Sequence, residues 1–217
     1  MESFDNRLRR FLGSEDEVPL TLILWAQNLL LPQVRVAKEK RLDNLLFLST
    51  HAFVQAFSEK ALGKRGREGT NCFLRSFMDG PDPSNQFSQV SDELHEMRNV
   101  MAHQLFSSRT HDIALDYTMA EGWRRETALL RINPDIYADQ FVAAVDGGRL
   151  WRWRDVIARE HRIVQQYRFV RDWLDLPKKD PIAQAVDRLA DLATLEDIEA
   201  AITAIRVEIT QRYNLSS

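Results

Sequence analysis

At 217 residues the chain is long enough for one large or two small domains with a substantial core. Hydrophobic residues at 44% and charged residues at 28% fit a globular protein rather than a disordered tail, and a net charge of −3 argues against general adhesion to nucleic acid. The single cysteine, Cys72, excludes a disulfide framework and any multi-cysteine zinc site within the chain, and is read as a small buried hydrophobe.

The opening MESFDNRLRR has charge and polarity where a signal peptide needs an apolar core. The most apolar run, 18–31, is 14 residues with Gln27 and Asn28 inside it, short of the ~20 needed to span a bilayer. A cytoplasmic chain without a membrane partner is expected. Phe4, Leu8, Phe11 and Leu12 fall on one side of a short helix over 2–12, ended by Gly13. Residues 20–31 are expected to form a buried helix, with a strand as the alternative. Pro32 opens a helix expected to run to Leu62, with Leu42, Leu45, Leu46, Phe53, Ala56 and Phe57 inward and Gly63 as its stop. His51 on that helix is read as structural. The stretch GKRGREGT, 63–70, reads as a mobile basic loop, either an RNA contact or a solvated turn; it lacks the P-loop pattern. A short helical turn over 71–78 precedes the breaker DGPDP.

The most informative stretch is 82–108, DPSNQFSQVSDELHEMRNVMAHQLFSS. Phe87, Val90, Leu94, Met97, Met101 and Leu105 recur at helical steps and predict an amphipathic helix with one buried stripe. Asp82 can cap its start, with Pro83 at the first helical position. Arg98, Asn99 and His103 lie on the flank of the stripe. Four residues separate Asn99 from His103, so they share a face. Arg98 sits about 140° round from His103, within reach only because its side chain is long. His95 extends the polar face and is not read as catalytic.

Downstream, 112–119 and 126–132 predict a small β-hairpin around Glu121-Gly122. Asn133-Pro134 caps a helix to Val145, stopped by Gly147-Gly148. A long helix over 149–174 carries Val156, Ile163, Tyr167, Val170 and Leu174 on one stripe and ends before Pro177. It has seven arginines over 149–171 against Asp155 and Glu160, a local basic bias spread around the helix rather than along one face. Two helices close the chain. Ile182, Val186, Leu189 and Ala193 mark the first, and Thr194 with Asp197 makes a capping-box-like start to the second. In the second, Leu195, Ile198, Ile202, Ile205 and Ile209 form a continuous seam, suited to packing back on the bundle or to a dimer contact.

The segment LHEMRNVMAHQLF resembles the R-N-x-x-x-H helix of the HEPN superfamily, all-α domains that include metal-independent ribonucleases of toxin, CRISPR and phage-defence systems. The matching residues are Arg98, Asn99 and His103; Arg154, Asp155 and His161 fit a looser spacing of the same motif. The resemblance implies a mainly all-α, up-and-down helical bundle of HEPN type with a small β-hairpin insertion. Residues 1–177 would form this domain with an N-terminal extension, and 178–217 a C-terminal helical hairpin packed on the bundle or a partner. It implies a toxin- or defence-like endoribonuclease that cleaves RNA by 2′-OH attack without cofactor or metal, with Arg98, Asn99 and His103 as catalytic residues. His103 is suited to proton transfer near neutral pH and Arg98 to phosphate. One histidine does not easily serve both faces of the reaction, so a homodimer or a second HEPN-containing chain is implied, and an antitoxin or defence-system partner fits the same family. The alternative is a non-catalytic HEPN-like module that binds a protein or nucleic-acid partner. Metal chemistry has no support in the motifs: H-E-x-x-H and paired acidic helix motifs are absent, as is a G-x-S-x-G elbow.

Overall fold

Apolar residues at helical spacing dictate most of the architecture. The computed structural model describes residues 3–103 and 112–215, which are predominantly helical with three short strands among them. The helices before the strands are α1 (Phe4–Gly13), α2 (Glu17–Trp25), α3 (Leu31–Glu39), α4 (Asp43–Phe57), α5 (Gly66–Phe73) and α6 (Ser91–His103). The strands are β1 (Ile113–Leu115), β2 (Trp123–Glu126) and β3 (Leu129–Ile132). After them come α7 (Pro134–Val145), α8 (Trp153–Val156), α9 (Arg159–Trp173), α10 (Pro181–Arg188) and α11 (Leu195–Arg212). No helix among the described residues is long and apolar enough to cross a membrane. Two compact units emerge, Leu22–Arg152 and Met1–Thr21 with Trp153–Ser217, divided elsewhere than at the 177/178 boundary expected from sequence.

Within Leu22–Arg152 the central helix is α4, which packs against α3, α5, α6 and α7. It buries Leu46, Phe47, Thr50, His51, Val54 and Phe57. This stripe is rotated from the expected one, because Leu42 and Leu45 are nearly half exposed. The expected helix 33–62 is also broken: Arg41, at φ 53, separates α3 from α4. Gly63, at φ 68, does end the last turn as expected, in a left-handed conformation that glycine adopts without steric cost. Of the helix expected over 149–174 only Arg149–Arg152 belong to this unit, as a 3₁₀ turn packed on α7, and α7 in turn packs on α4. Phe141 meets Phe57 edge-on at 5.6 Å, and Tyr137 packs between Phe47 at 5.7 Å and Phe87 at 4.8 Å. Residues 20–31 are largely helical, but Leu24 and Leu29 are about half exposed rather than buried, and Cys72 is half-buried.

The small sheet differs from the expected hairpin. Its order is β1-β3-β2, with β1 parallel to β3 and β2 antiparallel to it. The hairpin turn is therefore between β2 and β3 at Thr127-Ala128, with Thr127 at φ 55, and not at Glu121-Gly122. The sheet is fastened to the turns that precede α6. Gly122 N donates to Asn85 Oδ1 at 2.7 Å and the Trp123 indole to the Gln86 carbonyl at 3.2 Å, while Arg125 pairs with Glu93 on the first turn of α6.

In the other unit α1, α9, α10 and α11 share one core. Leu8 and Phe11 meet Ile163, Tyr167 and Val170, closed by Ile182 and Val186 and by the Ile198–Ile209 seam of α11. Phe11 contacts Phe169 and Trp173 edge-on at 5.3 and 5.0 Å. The expected 149–174 helix is broken at Ile157-Ala158. Arg162 stabilises the break by donating to the carbonyls of Ile157 at 2.7 Å and Arg154 at 3.0 Å. The Thr194 cap of α11 is as expected: its hydroxyl accepts from Asp197 N at 3.1 Å and donates to the Asp197 carboxylate at 2.6 Å.

Candidate functional site

The motif lies on α6, shorter than expected at its start because 83–90 form two 3₁₀ turns. Asp82 caps the first of these, accepting from Ser84 N at 3.0 Å. Phe87, Val90, Leu94, Met97 and Met101 are all buried as the periodicity predicts, and Leu105 and the rest of the expected helix to Ser108 lie outside the described residues. Asp92 and Glu93 in the first turn, with His103 in the last, match the helix dipole.

Arg98 and Asn99 are half-buried on the flank of the stripe, and His103 is exposed at the end of the helix. Arg98 Nη1 donates to Asn99 Oδ1 at 3.0 Å. Arg98 Nε is enclosed without an acceptor, and among the described residues no carboxylate pairs with this guanidinium. Asn99 thus holds part of the fork, and no other partner of this cation is found among the described residues.

A polar layer lies behind the motif. His95 is one turn before Asn99, so His95, Asn99 and His103 form one row along α6. Gln55 of α4 donates its amide N–H to His95 Nδ1 at 3.0 Å, which leaves the proton of the neutral ring on Nε2. Burial lowers the His95 pKa, with the Arg67 and Arg98 charges adding to the shift and Asp92 opposing it. His51 lies deeper, its ring centroid 6.0 Å from that of His95, with Nδ1 3.0 Å from the Tyr137 phenol oxygen. Burial above all, then His95 and Arg98, pushes His51 down to about 3, so it is neutral near pH 7. Burial likewise pushes the Tyr137 phenol up and keeps it protonated. Tyr137 O–H has no other acceptor among the described residues, so it donates to His51 Nδ1 and leaves a buried His51 Nε2–H unpaired. The structural reading of His51 fits this arrangement. Gln55 and Tyr137 escaped the sequence reading, although Gln55, four residues after His51 on an apolar helix, was a usable signal.

Arg154, Asp155 and His161, the looser match to the motif, belong to the other unit. Arg154 and His161 lie on separate helices, and Arg154 is held by both oxygens of Asp16, at 2.7 and 2.5 Å. Most of the expected basic loop is helix α5, and Lys64, Arg65 and Arg67 pair with Glu68, Glu59 and Asp92. Among the described residues no three His, Cys, Asp or Glu side chains cluster as a metal site would require. No family model matches the chain, and no curated protein or solved structure matches it either.

Proposed function

We propose that the chain is a metal-independent endoribonuclease of HEPN type in which Arg98, Asn99 and His103 act on RNA. The observation that carries this reading is the state of Arg98: off the apolar stripe of α6, oriented by Asn99, and without a carboxylate partner among the described residues. Such a fork suits the non-bridging oxygens of a phosphate and the charge that develops on them. His103, exposed on the same helix, supplies proton transfer. In the reaction the ribose O2′–P bond forms as the P–O5′ bond breaks. One proton leaves O2′ and another reaches O5′, giving a 2′,3′-cyclic phosphate and a 5′-hydroxyl. Two proton transfers and one histidine per motif imply a homodimer, or a second HEPN-bearing chain, with two motifs facing one cleft. A toxin–antitoxin or antiviral role follows only from the family resemblance.

The test is cleavage of single-stranded RNA in EDTA. The wild type is expected to leave cyclic-phosphate ends and to spare DNA. His103→Ala and Arg98→Ala are each expected to abolish cleavage with nearly unchanged melting curves. Arg98→Lys is expected to fail as well, because a point charge does not reproduce the bidentate fork. Activity that persists in both alanine variants would refute the assignment.

A second reading, a non-catalytic binding module, is favoured by the same half-buried guanidinium, which has no carboxylate among the described residues and suits one on a docked partner. It predicts no cleavage by the wild type and loss of partner binding in the same variants.

A further inference from the structure

The unit formed by Met1–Thr21 and Trp153–Ser217 contains a polar cleft of about 420 Å³, within the size range of small-molecule sites. Most of the charge on its lining is internally neutralised. Arg159 pairs with Glu199 at 3.0 Å, Glu15 with Arg162 at 2.7 Å and Arg154 with Asp16 at 2.5 Å. Arg206 of α11 is the exception. Its Nε donates to the Tyr167 phenol oxygen and its Nη2 to the Leu12 carbonyl, both neutral acceptors, and it has no carboxylate partner among the described residues.

Two buried polar groups lie beside that cation. Tyr167 is 1% exposed, and its own O–H has no acceptor among the described residues. Burial raises its pKa, against the opposing effect of Arg206, so the phenol remains a donor at neutral pH. Gln166 is 3% exposed and lines the cleft; its Nε2 is fixed on the Phe11 carbonyl at 2.6 Å, and its Oε1 takes no donor from the described residues. Ile163 and Ile202 add apolar surface to the same lining. A guanidinium without a carboxylate, a phenol O–H without an acceptor and an amide oxygen without a donor among the described residues, with two aliphatic side chains in the same cleft, are the parts of a recognition site.

We infer that this cleft binds a phosphomonoester of mononucleotide size, with the phosphate on Arg206 and Tyr167, the ring against Ile163 and Ile202, and a ring N–H donor on Gln166. The cleft exceeds the volume of a bare phosphate, which is why the ligand carries an organic part. The inference does not rest on the ribonuclease reading, because none of these residues belongs to α6.

The test is calorimetric titration of the full chain at constant ionic strength with adenosine 5′-monophosphate, inorganic phosphate and adenosine. The wild type is expected to bind the nucleotide saturably and at least tenfold more tightly than either phosphate or adenosine. Arg206→Met is expected to weaken binding at least tenfold. Because Arg206 also holds Leu12 and Tyr167, the second variant is Thr203→Glu. Thr203 is exposed, lines the cleft and lies three residues before Arg206 on the helix. Its new carboxylate would neutralise the guanidinium without removing any contact of Arg206, and the same loss of binding is expected. Absence of saturable binding by the wild type would overturn the site. Equal affinity for phosphate and nucleotide would overturn the mononucleotide assignment, and unchanged affinity in Thr203→Glu would overturn the role of Arg206.

Discussion

His51 Nδ1 and the Tyr137 phenol oxygen lie 3.0 Å apart although the two residues are 86 positions apart in sequence, and both side chains are buried. This bond runs through the α4–α7 packing and gives the phenol its acceptor. Tyr137→Phe is expected to cost about 1–3 kcal/mol, because His51 then keeps two ring nitrogens without partners. His51→Phe should cost a similar amount by orphaning the phenol. The double variant should lose less than the sum of the two, since each single change strands the other group. Urea denaturation of the four proteins measures this cycle, and additive losses would show that the bond contributes nothing.

Acid should destabilise the protein through the same histidine. The folded-state pKa of His51 is lowered to about 3 from an ordinary 6.5, so between those values the unfolded chain binds a proton that the folded chain refuses. The stabilising contribution is complete above pH 6.5 and is lost as pH falls toward 3, at no more than about 1.4 kcal/mol per pH unit. His95, also lowered, acts in the same direction. Denaturation midpoints measured across this window should slope less steeply in His51→Phe than in the wild type; parallel slopes would contradict the assignment.

Met101 and Asn99 separate the two faces of α6. Met101 is buried on the stripe and Asn99 is half-buried beside it, accepting from Arg98. Met101→Asp is expected to cost several kcal/mol, at least ~3, by placing an unpaired carboxylate in the core. Asn99→Ala should leave the melting temperature nearly unchanged while reducing cleavage, because it frees the Arg98 fork. Equal melting temperatures for the two variants would mean that the helix is rotated.

Gly122 is held by close approach rather than by backbone conformation. A Cβ there would stand 2.7 Å from the Phe87 ring and 2.8 Å from Asn85 Oδ1. Gly122→Ala is therefore expected to cost about 1–3 kcal/mol by pushing the sheet off the turns that lead into α6. A melting curve equal to that of the wild type would show that the ring yields freely.

The local signals were read correctly where one face of a helix decided the outcome. The stripe from Phe87 to Met101, the Asn133 cap of α7 and the Thr194 cap of α11 depend on neighbours three or four residues away, and sequence contains those neighbours. The rotation of α4 was not legible because this helix is apolar on several sides. Its true inner face includes Thr50 and His51, and the helices packed around α4 select it, His51 meeting His95 of α6 and Tyr137 of α7. Strand pairing failed for a related reason. Strands of three or four residues alternate too briefly to reveal that β1 pairs with β3 in parallel, past the strand that lies between them in sequence. The break at Ile157-Ala158 was hidden because apolar spacing continues across it, and the bonds from Arg162 that stabilise it come from the following helix. That Arg98 meets no carboxylate among the described residues could not be read at all, since it depends on which carboxylates other elements bring near.

The unit that contains α1 is assembled from both ends of the described chain, with residues 22–152 inserted between its parts. During synthesis α1 emerges before the rest of its unit, and Leu8, Phe11 and Leu12 have their partners on α9, α10 and α11. That apolar face stays uncovered until the ribosome has released the whole inserted unit, which has its own core and can fold in the interval. At ~5–20 residues per second, the wait lasts about 7 to 26 seconds, long enough for a chaperone or a neighbouring nascent chain to meet it. Arrested chains ending near residue 158 should therefore be more prone to aggregation than the isolated segment 22–152, which lacks α1 altogether.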